Sequence, residues 1–394
     1  MKICIFSTTY FPKAGGAERF IHGLAENLTA KRHKVYVLVP YDKSLDLESS
    51  LSYKILKLRF LSPFRSNYIL LEVMLFLNVL FYILRYRFDV IQAVILYPSG
   101  FVAALFTKLF KIPSVLRPTG EDIQIYKKLN YGLRLIPFVD SRLKKSLVNC
   151  SKVIAISPSI DKDLLSVLGY ENRGKICPIS NGIDLKKFGE KAEFNIKKDL
   201  NLKKSDKVII SIGRNHPKKD YKTLIKAVSL CPLNYHLVIV GGGEEPLNEI
   251  VAKKDMFRTH FLGQLPKNYT GKLLPFSFPP KMVVDYLKTS DIYASSSLIE
   301  GSPNVILEAM AAGLPIVAVN GYGTKDYVND SENGALVKCQ NPEKLSKALI
   351  RILSNKNLLS KYAKASKKMS LLYSFNIVAN EYTKVYNSLV KETT

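Results

Sequence analysis

The run Glu300 to Glu308, EGSPNVILE, carries two carboxylates with seven residues between them around a Gly-Ser-Pro-Asn loop, and leads into the small-residue stretch AMAAGLPIVAV. Glu300 ends the loop after the apolar run DIYASS, where a carboxylate can bind sugar hydroxyls or steady an oxocarbenium-like centre. Glu308 falls about one turn inside the helix that follows and can accept both hydroxyls of a ribose. An acid between Leu307 and Ala309 in a helix of an α/β domain is costly to bury without partners, and a cap or an ion pair is its plainer account. The backbone N–H groups of Asn304, Val305 and Ile306 suit phosphates, Pro303 having none, and Ser302 completes the set. Together these groups point to an enzyme that handles a nucleotide-sugar.

Two cations stand in a second such place. Arg214 follows the buried run VIISIG and Lys219 comes five residues later, so the pair can clamp a diphosphate whose charge grows as a sugar bond breaks. In a chain with 58 Lys and Arg such a pair is equally an ordinary solvated one; its position at a strand end singles it out. Gly241, Gly242 and Gly243 follow the next strand as a backbone-accessible loop. Gly15 and Gly16 occupy the turn between the first strand and helix, where missing side chains and a helix N-terminus favour an anion, or simply a tight turn. No GxGxxG and no GxxxxGK[ST] occurs, against a nicotinamide enzyme or a P-loop ATPase. The five histidines are scattered, and His216 alone lies where a pocket is expected.

These groups need strand ends to hold them. An apolar run at 3–7, a helical pattern after Gly16 and a second apolar run at 35–40 make a parallel α/β unit. Further strands are expected at 89–96, 114–117 and 152–157, with helices at 68–86 and 99–110. After the lysine-rich segment 195–207 the alternation restarts, with strands at 208–213, 236–241, 259–263, 291–296 and 315–319 and helices between them. Three helices, at 342–354, 356–371 and 375–391, close the chain. The 394 residues therefore divide into an acceptor-side Rossmann-like domain, 1–185, a nucleotide-sugar-binding one, 186–370, and a C-terminal helix, 371–394, packing back on the first. The proline-, lysine- and aromatic-rich stretch 265–280 reads as a loop and a candidate acceptor or membrane contact.

As a set these residues resemble the large retaining glycosyltransferase family 4, with GT-B architecture: an α/β fold of two Rossmann-like doubly wound domains facing a central cleft. The resemblance rests on Gly15-Gly16-Ala17-Glu18, Asn181-Gly182-Ile183-Asp184, Gly213-Arg214 with Lys219, Gly241-Gly242-Gly243, Phe261-Leu262-Gly263, the Glu300 to Pro315 run, and Asn333-Gly334. It implies sugar transfer from a nucleotide diphosphate donor with retention at the anomeric carbon and no obligatory metal. Arg214 and Lys219 would hold the diphosphate, Glu300 the donor sugar and Glu308 the ribose. Two departures stand out. The loop 117–122, where many members carry a histidine, has none, leaving Glu121, Asp122 or no protein base on the acceptor side. Asp220 stands where glycine is common after the lysine.

Charge and composition bear on partners. Fifty-eight cations against 33 carboxylates give +25 at pH 7, favouring anionic partners. The apolar segment 68–86 is interrupted by Glu72 and Asn78 and bounded by arginines, so it is either a helix buried against a sheet or one resting on an anionic bilayer. Five cysteines without metal-ligand spacing and a start without a signal-peptide pattern point to the cytoplasm. The expectation is a hexosyltransferase, peripheral on the inner face of the cell membrane. It passes a sugar, from a UDP-sugar by preference, to a lipid-linked or membrane-proximal glycan acceptor in cell-surface polysaccharide or glycolipid synthesis. The competing readings are a UDP-sugar 2-epimerase-like enzyme and a non-catalytic GT-B protein that binds an anionic polymer. Dispersed lysines without paired aromatics argue against specific nucleic-acid binding.

Overall fold

The computed structural model describes residues 1–11, 15–40, 51–58, 67–243, 247–265 and 279–393. The chain divides into two compact units: Met1–Gly182 with Phe375–Thr394, and Ile183–Ser374. The expected loop at 265–280 lies almost wholly outside the described residues.

In the first unit a seven-stranded, all-parallel sheet runs in the order β3-β2-β1-β4-β5-β6-β7. Its strands are β1 (Lys2–Phe6), β2 (Lys34–Pro40), β3 (Lys54–Leu58), β4 (Val90–Val94), β5 (Ser114–Arg117), β6 (Lys152–Ala155) and β7 (Ile176–Pro178). Its helices are α1 (Gly16–Ala30), α2 (Tyr68–Tyr86), α3 (Phe101–Phe110), α4 (Pro137–Asn149) and α5 (Pro158–Leu168). Strands such as VIQAV and ICIF are buried throughout because helices cover both faces of a parallel sheet.

The second unit opens with two short helices, α6 (Leu185–Gly189) and α7 (Ile196–Asp199). Its sheet is also all-parallel, in the order β10-β9-β8-β11-β12-β13. The strands are β8 (Lys207–Ile212), β9 (Tyr235–Val240), β10 (Thr259–Gly263), β11 (Ile292–Ser295), β12 (Ile316–Val319) and β13 (Gly334–Val337). Counted within the unit this is the 3-2-1-4-5-6 order of a Rossmann fold. Helices α8 (Tyr221–Ser229), α9 (Lys281–Thr289), α10 (Asn304–Ala311), α11 (Pro342–Ser354) and α12 (Lys356–Ser370) cover it. Alternate residues of β8 feed opposite cores: Val208 and Ile210 pack with Ile306, Leu307 and Met310, while Ile209 packs with Leu224, Ile225 and Leu349.

The last helix, α13 (Phe375–Thr393), belongs to the first unit, and the chain returns there at Phe375 rather than at 371. Its Tyr382 and Tyr386 are fully buried; Tyr382 packs 5.8 Å from Phe20, and the Tyr386 hydroxyl donates to Gln92 Oε1 at 3.0 Å. Helix α2, long and apolar enough by length and composition to cross a membrane, is only partly buried. Leu75 and Val79 are sealed in the core, while Ile69, Leu77, Phe81 and Leu84 are more than half exposed.

A histidine pair sits at the amino end of the second sheet. His236 Nδ1 and His260 Nε2 are 3.2 Å apart with stacked rings, and Asp206 Oδ2 is 3.6 Å from His236 Nε2. Burial lowers both imidazoles, and each also suffers a neighbouring cation or imidazole. A histidine depressed in the folded state contributes stability that is full above its ordinary value near 6.5 and is lost as pH falls below it. Between pH 7.5 and 5.5 the urea midpoint is therefore expected to fall, and His260→Gln is expected to flatten that slope. Parallel slopes would show that the pair does not titrate.

Candidate functional site

In the second sheet β8 has β9 on one side and β11 on the other, so the strand order reverses at the β8/β11 pair. Open α/β sheets bind ligands at the carboxyl ends of the strands flanking such a reversal. Backbone bonds stitch the loops that leave these strands. Leu298 N–H donates to Lys218 O at 2.8 Å, Tyr322 N–H to Leu298 O at 3.1 Å, and Glu300 N–H to Tyr322 O at 2.8 Å. Ser296 Oγ adds a bond to Lys219 O at 2.7 Å. Gly323, at φ +79°, closes the loop against Glu300; a Cβ there would lie 2.0 Å from Glu300 O. Gly213 serves the other side, since Lys219 Cε and Nζ lie 2.7 and 2.9 Å from where its Cβ would be. The two loops are thus locked in register by main chain, and glycine admits the close approach.

Glu300 is 8% exposed and holds two lysines: Lys219 Nζ is 2.7 Å from Oε1 and Lys218 Nζ 3.2 Å from Oε2. Burial alone would raise the carboxyl, but Lys219 and then Lys218 outweigh it and bring it down to about 2. Glu300 is therefore ionised at neutral pH, and the cluster of two ammonium groups and one carboxylate keeps a surplus positive charge. Lys219 ends a 3₁₀ turn, Pro217–Lys219, just before α8. Lys218 was missed from sequence because it is one of many lysines, and only the fold turns it to Glu300. His216 is exposed, and its side chain caps that turn by accepting from Lys218 N–H at 3.2 Å. Arg214 is exposed on the same loop. Gly243 pairs with Asn215 as an isolated bridge, and Asn215 N–H donates to Gly242 O at 2.8 Å.

Glu308 is buried inside α10, as its position in the helix required. Ser302 Oγ is 2.6 Å from the Tyr327 hydroxyl. Asn304 and Val305 open α10, whose first-turn amides lack intrahelical acceptors by geometry. Ile306 needs a correction as a phosphate contact: its side chain is wholly in the core and its N–H donates to Pro303 O at 2.9 Å.

In the first unit, Gly15 caps α1, but its N–H donates to Glu18 Oε2 at 2.9 Å, so a carboxylate of the chain itself already stands at that N-terminus beside Gly16. Glu121 is exposed. Asp122 is buried, and its Oδ1 accepts from Thr119 N–H (2.8 Å) and Gly120 N–H (3.1 Å) and its Oδ2 from Leu96 N–H (2.7 Å). Burial pushes its carboxyl up against these bonds. Asp122 thus pins the β5 exit loop to the β4 exit, a structural duty that sequence alone did not reveal. Arg117 is also buried: it lies 3.7 Å over the Phe20 ring and donates to Asn181 Oδ1. Among the described residues no cluster of three or more His, Cys, Asp or Glu could hold a metal ion.

The whole chain superposes on solved structures of this architecture. Anabaena HepE in complex with UDP matches with a TM-score of 0.74 at 18% identity, over 98% of this chain and 100% of that one. Sucrose-phosphate synthase from Thermosynechococcus elongatus matches with 0.80 at 20%, over 99% of each. Residues 14–187 match the model of Glycosyltransferase Family 4, and residues 192–369 that of Glycosyl transferases group 1. The chain is thus a glycosyltransferase of the GT-B fold, related to both families. Over 379 residues it is 27% identical to the N,N'-diacetylbacillosaminyl-diphospho-undecaprenol alpha-1,3-N-acetylgalactosaminyltransferase of Campylobacter jejuni, covering 92% of this chain and 93% of that protein. Over 291 residues it is 26% identical to the UDP-Gal:alpha-D-GlcNAc-diphosphoundecaprenol alpha-1,3-galactosyltransferase of Escherichia coli, covering 71% and 70%.

Replacing Lys218 by Gln is expected to raise the donor KM about tenfold, the worth of one charge-assisted contact, with a smaller effect on kcat. The acid limb of the kcat/KM profile is expected to move to higher pH, because Glu300 loses one of the two cations that depress it. Steady-state kinetics from pH 4 to 8 check this; an unchanged KM and acid limb would make Lys218 a bystander.

Proposed function

We propose that this protein is a retaining hexosyltransferase that moves a sugar from a nucleotide-diphosphate donor, a UDP-sugar first, to a lipid-linked acceptor in cell-surface glycan synthesis. The observation that carries it is the buried Glu300 with Lys218 and Lys219 at the strand-order reversal. In this reading the bond from the anomeric carbon to the phosphate oxygen breaks as the bond to the acceptor oxygen forms. The acceptor proton passes to the departing phosphate oxygen. Arg214, Lys218 and Lys219 receive the charge that builds on the diphosphate, and Glu300 binds the donor sugar and steadies the oxocarbenium-like centre. Glu308 binds the ribose, while Ser302 and the amides of Asn304 and Val305 take phosphate oxygens. A proton route that needs no protein base is supported by Asp122 being fully engaged in its loop. Gly15 and Gly16 remain proposed donor contacts and Glu121 the proposed acceptor-side acid.

The acceptors in the names of the Campylobacter and Escherichia relatives, sugars on diphospho-undecaprenol, support a lipid-linked acceptor here. The outward face of α2, with Leu109 and Phe110 exposed at the end of α3 and Arg85, Arg87, Lys108 and Lys111 exposed beside these helix ends, supports peripheral contact with an anionic bilayer. The reading is tested by nucleoside-diphosphate release from UDP-, GDP- and ADP-sugars, with and without membrane-lipid extract, and with Glu300→Ala as control. Release that needs the extract and is lost in the variant is the expected result. Acceptor-independent UDP formation would favour an epimerase-like reaction, and no release from any donor would remove the transferase reading.

A further inference from the structure

Helices α2, α3 and α4 each begin where the parallel strands of the first sheet end, so their first turns share its carboxyl edge. A polar cluster joins those turns. Glu72, the buried carboxylate of α2, accepts from the Tyr97 hydroxyl at 3.1 Å and from Arg142 Nε of α4 at 3.0 Å. The Arg142 guanidinium lies 4.9 Å from the ring centres of both Phe101 and Phe138, and the Phe138 ring stacks on Tyr68 at 5.2 Å. Arg142 is thereby fixed at one edge and over two rings, yet its side chain is 24% exposed and its terminal nitrogens have no acceptor among the described residues. A guanidinium held in this way presents a preorganised fork to an oxyanion.

Charge and surface around it point to one kind of ligand. Arg134 and Lys144 share Asp140, Arg142 holds Glu72, and Lys145 adds its field there, so four cations stand against two carboxylates. The surplus of two positive charges matches a diphosphate diester. Beside it the first turns of α2 expose Ile69, Leu70 and Val73, and the exposed side continues to Leu77. We propose that this is the subsite for the lipid diphosphate of the acceptor: Arg142 takes the diphosphate oxygens, and the isoprenoid chain lies over Ile69, Leu70 and Val73. Glu72 and Tyr97 are positioning residues, acting through Arg142. The inference rests on the lipid-linked acceptor proposed above.

The test is calorimetric titration of the full chain, saturated with UDP to occupy the donor side, with farnesyl diphosphate, farnesol and inorganic diphosphate. Wild-type protein is expected to bind farnesyl diphosphate at least about tenfold more tightly than either fragment. Arg142→Ala is expected to lose about tenfold for farnesyl diphosphate and nothing for farnesol or UDP. Arg142→Lys, which retains the charge and the reach to Glu72, is expected to lose about fivefold, because an ammonium cannot make the paired contact; it decides the matter if the alanine variant does not fold. Unchanged farnesyl diphosphate affinity in the lysine variant, or in a folded alanine variant, with UDP binding intact, overturns the subsite and leaves the donor reading standing. Failure of the wild type to bind UDP overturns the donor reading instead. Equal losses for phosphatidylglycerol vesicles and farnesyl diphosphate overturn the subsite in favour of a general membrane contact.

Discussion

Glu300→Gln is expected to reduce sugar transfer about 10²–10³-fold, the cost of removing one preorganised charged group from a transition state. The loss should fall mainly on kcat, with UDP affinity changed far less, because the lysines remain. It should also change stability in a pH-dependent way. The carboxyl is held at about 2 against an ordinary 4.5, so its stabilisation is full above pH 4.5 and is lost as pH falls toward 2. A shift of that size corresponds to roughly 3 kcal/mol at neutral pH. Glutamine keeps the shape of the side chain but leaves two ammonium groups together without their anion. Urea melts of both proteins from pH 7 to 3 should show a gap at neutral pH that narrows on acidification. A variant with wild-type kcat, or a gap that widens in acid, would remove Glu300 from its proposed role.

Tyr382→Ala is expected to destabilise the first unit by about 3–5 kcal/mol, the usual cost of emptying a fully buried aromatic site. One further loss pushes it toward the upper end: the ring contact with Phe20, 5.8 Å between centres. Lys384→Ala, two residues on, breaks only an exposed ion pair with Glu381 and should cost less than about 0.5 kcal/mol. Chemical denaturation of the two variants separates these outcomes. A loss below about 1 kcal/mol for Tyr382→Ala would mean that α13 is a passive strap rather than part of the first core.

The alternation of buried strands and amphipathic helices was legible because hydrophobic period is a local property. SVLR at 114–117 and the helix at 68–86 stand where the pattern placed them. The short strands β3, β7 and β13 were not, since KILKL carries lysines and three- or four-residue strands leave little periodic signal. Glu300 and Lys219 could be picked out because strand ends in a parallel sheet share one edge, so position along the chain already implies a common side.

Partnership is a different matter, because it depends on which distant segments meet. That Lys218 joins Lys219 on Glu300, that Asp122 spends its carboxylate on three amides, and that Glu72 meets Arg142 were decided by folding across 82, 26 and 70 residues of chain. The same holds for α2, whose sequence fits a buried or a surface helix equally and whose exposed face was settled by what packs against it. By itself the sequence determined the secondary structure period, the α/β class and the carboxylate and lysine at the strand ends, all consequences of short-range spacing. Only the tertiary structure decided which charges are paired, which are spent on the backbone and which apolar faces remain open, because burial and electrostatic neighbourhood arise from long-range packing.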